Sequence, residues 1–181
     1  MKKLLLVLTV LAFVGCKDDK NTKDDQQQEA QKPAGNEFFR VTLDLIAKKD
    51  DSFHVFYTED GSQDFKEENS VWVEFKGSDN AQKLNFDMPK DIKPTQLRID
   101  FGVNKAQEDV KINGMEMSYF GKTAVISGPQ FFTFFRPNEA STTFDIPNQL
   151  VKKIAVPGKE SVNASVYQLE SLNGEIEKIL Q

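Results

Sequence analysis

From Phe38 to the C-terminus, apolar and polar side chains alternate along short runs, which Gly, Pro, Asn and Asp break at intervals of about a dozen residues. A period of two is the signature of a strand with one face buried. "FRVTLDLI" places Phe39, Val41, Leu43 and Leu45 on one face, and "SFHVFY" places Phe53, Val55 and Tyr57 there. "VWVEF" does the same with Val71, Val73 and Phe75, "KLNFDM" with Leu84, Phe86 and Met88, and "LRIDFGV" with Leu97, Ile99, Phe101 and Val103. Further short runs follow at "VKINGMEMSYF", "TAVISG", "FFTFF", "TTFDI", "KIAV" and "VYQLESL". About ten strands and no helix of useful length predict an all-β domain over 38–181, an antiparallel two-sheet sandwich of jelly-roll-like form.

Three local patterns are less uniform. Asn173-Gly174 suits a type I′ hairpin turn joining "VYQLESL" to "EIEKIL", although the last segment suits a terminal helical turn equally. Asn113-Gly114 reads either as a turn or as a bulge in a continuing strand. "FFTFF", apolar on both sides, reads as a strand buried on both faces.

The N-terminus breaks the pattern. Lys2 and Lys3 precede an apolar run, Leu4 to Val14, that is too short for the roughly 20 residues of a spanning helix, so 1–15 reads as a secretory signal. It ends at Cys16, the only cysteine in the chain. "FVGC" resembles the lipobox of bacterial lipoproteins, with Phe13 where that motif usually has Leu, and the resemblance implies cleavage before Cys16 and its acylation. Each buried acyl methylene contributes ~0.8 kcal/mol, enough for two or more chains to hold a protein on a bilayer. Lys17, Asp18 and Asp19 resemble the charged export tag of Bacteroidetes surface lipoproteins, which implies placement on the outer face of the outer membrane. The stretch 16–37 has no branched aliphatic residue until the domain begins and carries Gln26-Gln27-Gln28, so it reads as a disordered tether with a reach near ~25 Å.

Charge narrows the partners. Loss of Lys2 and Lys3 with the signal leaves 21 basic and 28 acidic residues, a net charge of −7, with no basic patch, which argues against nucleic acid. One histidine, His54, and a cysteine committed to lipid leave no material for a His/Cys metal site or a nucleophilic triad, so no catalytic, metal-binding or cofactor residue is assigned. His54 falls opposite the apolar face of its strand and reads as a surface or edge imidazole. Asp60-Gly61 in "TEDGSQD" reads as a turn, since the spacing of a calcium loop is missing.

"AQKLNFDMPKDIKPTQLRIDFG", followed by "VKINGMEMSYF" and "FFTFFRPN", resembles jelly-roll domains of the carbohydrate-binding-module type. The resemblance implies a non-catalytic glycan-binding role or support of polysaccharide handling at the envelope. Two other roles remain open: an adaptor for another envelope protein, and a small glycan-cleaving enzyme with paired carboxylates. Alternation alone nominates a binding face. If Val71, Val73 and Phe75 point inward, Trp72 points outward, and the same logic turns out Asn85 and Asp87, and Arg98 and Asp100. An outward indole among amide, carboxylate and guanidinium groups suits sugar recognition.

Overall fold

The computed structural model describes residues 36–154 and 163–181. Cys16, Lys17, Asp18 and Asp19 lie outside them. In chain order the elements are β1 (Arg40–Ile46), β2 (Asp51–Thr58), β3 (Ser70–Phe75), β4 (Gln82–Asp87), β5 (Gln96–Phe101), β6 (Val110–Tyr119) and β7 (Lys122–Ser127). There follow α1 (Gly128–Phe134), β8 (Phe135–Pro137), β9 (Thr142–Asp145), β10 (Leu150–Lys153), β11 (Ala164–Gln168), a 3-10 turn at Glu170–Leu172 and α2 (Asn173–Leu180). The strands form two antiparallel sheets. Sheet I has the order β4-β1-β6-β10-β9, with β7 paired to β6, and sheet II has the order β3-β2-β5-β11-β8.

The inward faces are those the alternation specifies. Phe39, Val41, Leu43, Leu45, Phe53, Val55, Leu97 and Ile99 are fully buried, with Phe86 and Met88 beside them. Each such side chain contributes about 1.5–3 kcal/mol by leaving water, and together they clamp the sheets face to face. Val71, Val73 and Phe75 of the edge strand β3 are only partly buried but pack on the same core. Val103 departs from the pattern and is half exposed, because β5 ends at Phe101 and Gly102, at φ +79°, turns the chain away. The Asp51 carboxylate fixes that turn by accepting the backbone N–H groups of Val103 (2.8 Å) and Asn104 (3.0 Å).

One expected strand is a helix, and a segment open to either reading is helical too. "FFTFF" lies mostly in α1, where Pro129 sits in the first turn and Gln130 accepts hydrogen bonds from the backbone N–H and the hydroxyl of Ser127. The apolar run is satisfied at helical spacing: Phe131 stacks on Phe135 at 4.6 Å between centroids, and Phe132 meets Phe144 edge-on at 4.9 Å. Asn173-Gly174 opens α2 and not a hairpin, and Ile176 and Ile179, three apart, are buried by it. Asn113 is the extra residue of a bulge in β6: Asp44 pairs Gly114, Leu45 pairs Ile112, and the Asn113 side chain donates to Asp44 at 2.9 Å.

Candidate functional site

The face of sheet II turned away from the core carries two cross-strand rows. In one, Phe56, Arg98, Tyr167 and Arg136 follow each other in register across β2, β5, β11 and β8. In the other, two residues along each strand, Trp72, His54, Asp100 and Ser165 follow across β3, β2, β5 and β11. The outward face of an antiparallel sheet is normally solvated. Here it is largely dry: His54 is 2% exposed, Phe56 7%, Asp100 7% and Ser165 1%.

Part of the cover is the connection between β2 and β3, residues 59–69, which lies over this face as a strap. Its Phe65 ring meets Phe56 and Tyr167 at 6.4 and 6.0 Å. Gln63 accepts from Arg136 at 3.1 Å. At its foot Tyr57 donates its backbone N–H to Asn69 (3.0 Å), and at its start the Thr58 hydroxyl donates to the Ser62 carbonyl (2.7 Å). The Asp60-Gly61 segment inside the strap is a turn, as expected: Asp60 accepts the Ser62 N–H at 2.9 Å, and Gly61 adopts φ +78°. Among the described residues no group of three or more His, Cys, Asp or Glu side chains is placed to hold a metal ion.

Arg98 organises the dry row. Its guanidinium binds the Asp100 carboxylate through two parallel hydrogen bonds, 2.8 and 2.6 Å, two residues along the same strand. Its guanidinium carbon lies 4.7 Å from the Phe56 ring and 5.5 Å from that of Tyr167, and Arg136 lies 4.7 Å from the same Tyr167 ring. Burial pushes the Asp100 carboxyl above its ordinary pKa, against the opposite pull of Arg98. This is therefore a largely buried pair.

Trp72 stands at the open end of the second row. It is 46% exposed, as expected of an outward residue, but it is fixed at two points. The indole stacks on His54 at 3.7 Å and 23°, and its Nε1–H donates to the Glu67 carboxylate at 2.8 Å. Because β3 is the edge strand, no strand of sheet II lies beyond the indole. Next to it, Ser52 and Glu74 form one wall of an open groove of about 580 Å³ that continues past Lys76 and Val103.

His54 is not the surface imidazole expected from the sequence. It is on the expected face, but its ring is stacked on Trp72 and packed at a tilt against Phe56, with centroids at 3.7 and 3.9 Å. Its Nε2 is buried without a hydrogen-bond partner, 3.7 Å from Glu67 Oε1. Burial, aided by the Arg98 charge and opposed by Glu67, lowers its pKa to about 4, so it is neutral at pH 7.

The expected binding residues separate into two groups. Trp72, Arg98 and Asp100 share the outward face of sheet II, whereas Asn85 and Asp87, although exposed, belong to sheet I. There Asn85 accepts from Thr42 at 2.8 Å and Asp87 pairs with Arg40 (2.9 Å for the outer contact). Alternation tells inward from outward and is blind to which sheet a strand joins, so the five residues split between two faces, and on that of Trp72 the other two, Arg98 and Asp100, bind each other. His54, Phe56, Phe65, Glu67 and Tyr167 complete that face. The sequence carries little signal for this: of the outward positions of "SFHVFYT", Ser52, His54, Phe56 and Thr58, only Phe56 is apolar. No known family model, curated protein or solved structure matches this chain.

The buried imidazole predicts a pH effect on stability. Unfolded, His54 titrates near 6.5 and folded near 4, so between those values the unfolded chain binds the extra proton. Its contribution is full above pH 6.5 and is lost as pH falls through this window, by on the order of 3 kcal/mol. Glu67, Arg98 and Asp100 face the ring and remain in a His54→Phe variant. Melting curves at pH 7.5 and 5 should therefore show a larger acid loss for the wild type than for His54→Phe; parallel losses would contradict a buried neutral imidazole.

Proposed function

We propose that the protein is a lipid-anchored lipoprotein of the outer-membrane surface whose sandwich binds a glycan on the outward face of sheet II without cleaving it. The observation that carries this reading is Trp72, a half-exposed indole held by His54 behind and Glu67 at its edge. A ring fixed in advance can stack on the apolar face of a pyranose at little entropic cost. Glu67, Glu74 and Ser52 supply hydrogen-bonding groups around it, and the adjoining groove extends along the rim of the sheet. Binding is favoured over cleavage because both oxygens of Asp100, the buried carboxylate of this face, are occupied by Arg98.

Removing the indole tests the site. Stacking of this kind is worth about 1–3 kcal/mol by analogy with bases on aromatic side chains, so Trp72→Ala should weaken binding of a cognate oligosaccharide roughly ten- to a hundredfold. The same change uncovers His54 and should cost on the order of 1–2 kcal/mol of stability, so binding is measured where circular dichroism shows the variant folded. Asn85→Ala, on the other sheet, should bind as the wild type does. Release of cleaved product from a polysaccharide panel would instead favour an enzyme, and silence on a glycan array together with a co-purifying envelope protein would favour an adaptor.

The anchor has its own test. A serine cannot form the thioether of an acylated cysteine, so Cys16→Ser should free the protein from membranes or leave its precursor uncleaved. A variant that still partitions wholly with detergent-phase lipoproteins would contradict the anchor.

A further inference from the structure

The surroundings of Trp72 carry information about ligand charge. Glu67 is on one side of the indole and Glu74 is two residues along β3 on the same outward face. Both are exposed, and among the described residues no lysine or arginine pairs with either. The cations close by in sequence are committed elsewhere: Lys66 to Asp64 at 3.9 Å, and Lys76 to Asp50 at 2.7 Å. Arg98, two strands away on β5, is held by Asp100.

A second feature points the same way. The inner face of the indole is covered by His54, whose Nε2 is buried, unpartnered and directed towards Glu67. A neutral imidazole there adds no positive charge behind the ring, and the Arg98 charge that reaches it is balanced by Asp100, so the outer face of the indole keeps its attraction for a cation. The two flanking carboxylates add to that attraction, and the adjoining groove is itself lined by Asp50, Asp51 and Glu74 against Lys76. Asp51 already serves backbone N–H groups and Asp50 serves Lys76 and the Gly77 N–H, which leaves Glu74, felt by Lys76 but in no ion pair with it, as the carboxylate of the wall with its acceptors open.

We infer that the Trp72 site selects a cationic sugar, a pyranose bearing a free ammonium group as in a glucosamine oligomer, which stacks on the indole while Glu67 and Glu74 bind its ammonium groups. This rests on the glycan-binding reading and adds the class of sugar to it. An acidic sugar would meet two unpaired carboxylates, and a neutral N-acetylated one would leave them without a partner.

Trp72 is the only tryptophan of the chain, so its fluorescence reports the site directly. The full-length protein is titrated at low salt with a glucosamine tetramer, its fully N-acetylated counterpart and a tetragalacturonate. The expected result is at least about tenfold tighter binding of the glucosamine tetramer than of the acetylated one, a ratio that falls towards one at 0.5 M salt. Glu67→Gln and Glu74→Gln should each lower the ratio, while Glu116→Gln, a control of equal charge change on sheet I, should not. Equal or tighter binding of the acetylated or acidic tetramer would overturn the cationic assignment and leave glycan binding standing. Absence of binding by all three, repeated on a broad glycan array, would overturn both.

Discussion

Strand β2 buries six consecutive side chains, Phe53 to Thr58, and a strand buried on both faces demands cover on both. One face is met by sheet I through Phe53, Val55 and Tyr57. The other turns His54 and Phe56 towards what would be solvent. The residue-59–69 strap, the Trp72 ring and the Arg98 guanidinium are the molecule's answer to that exposure. Arg98 is suited to it, because a delocalised, weakly hydrated cation can lie between Phe56 and Tyr167 while its donor fork satisfies Asp100. Removing either partner would leave an uncompensated, largely buried charge, at a cost of about 3–5 kcal/mol. The site is thus a by-product of covering β2: the last ring of the cover, Trp72, reaches the sheet edge with one face still open.

What the sequence could reveal follows the same physics. Where one face is wet and one dry, as in β1 and β4, the period of two assigned every inward residue from Val41 to Phe86 correctly. Where both faces are dry the period carries no contrast, and His54 reads as outward without its burial being visible. "FFTFF" is ambiguous for the same reason, since a run apolar at every position fits a buried strand or a short helix, and Pro129 with the Ser127–Gln130 cap decides for the helix. The pairing of Trp72 with Arg98 and Asp100, and its separation from Asn85 and Asp87, depends on which sheet each strand joins. That is set by long-range partners such as β11 beside β5, residues more than sixty positions apart, which no local pattern encodes.

The two outward faces differ in what they present. On sheet I, Arg40 is paired with Asp87 and Lys152 with Asp109, and the half-exposed Phe120 past the end of β6 meets Tyr119 edge-on and is not stacked. On sheet II the stacked, pinned indole lies beside unpaired carboxylates and an open groove. Anchored as proposed through Cys16, the protein would hold such a face where glycan at the outer-membrane surface is met at high local concentration.

The most direct measurement is amide and indole chemical-shift mapping by NMR during titration with a binding oligosaccharide. The chain has a single indole N–H, so its resonance is unambiguous. The account predicts that this signal moves with saturation, together with amides of β3, the strap and the groove rim at Lys76, while those of Asn85 and Asp87 stay in place. Shifts centred on sheet I, or a saturated complex in which the Trp72 indole signal is unmoved, would contradict it.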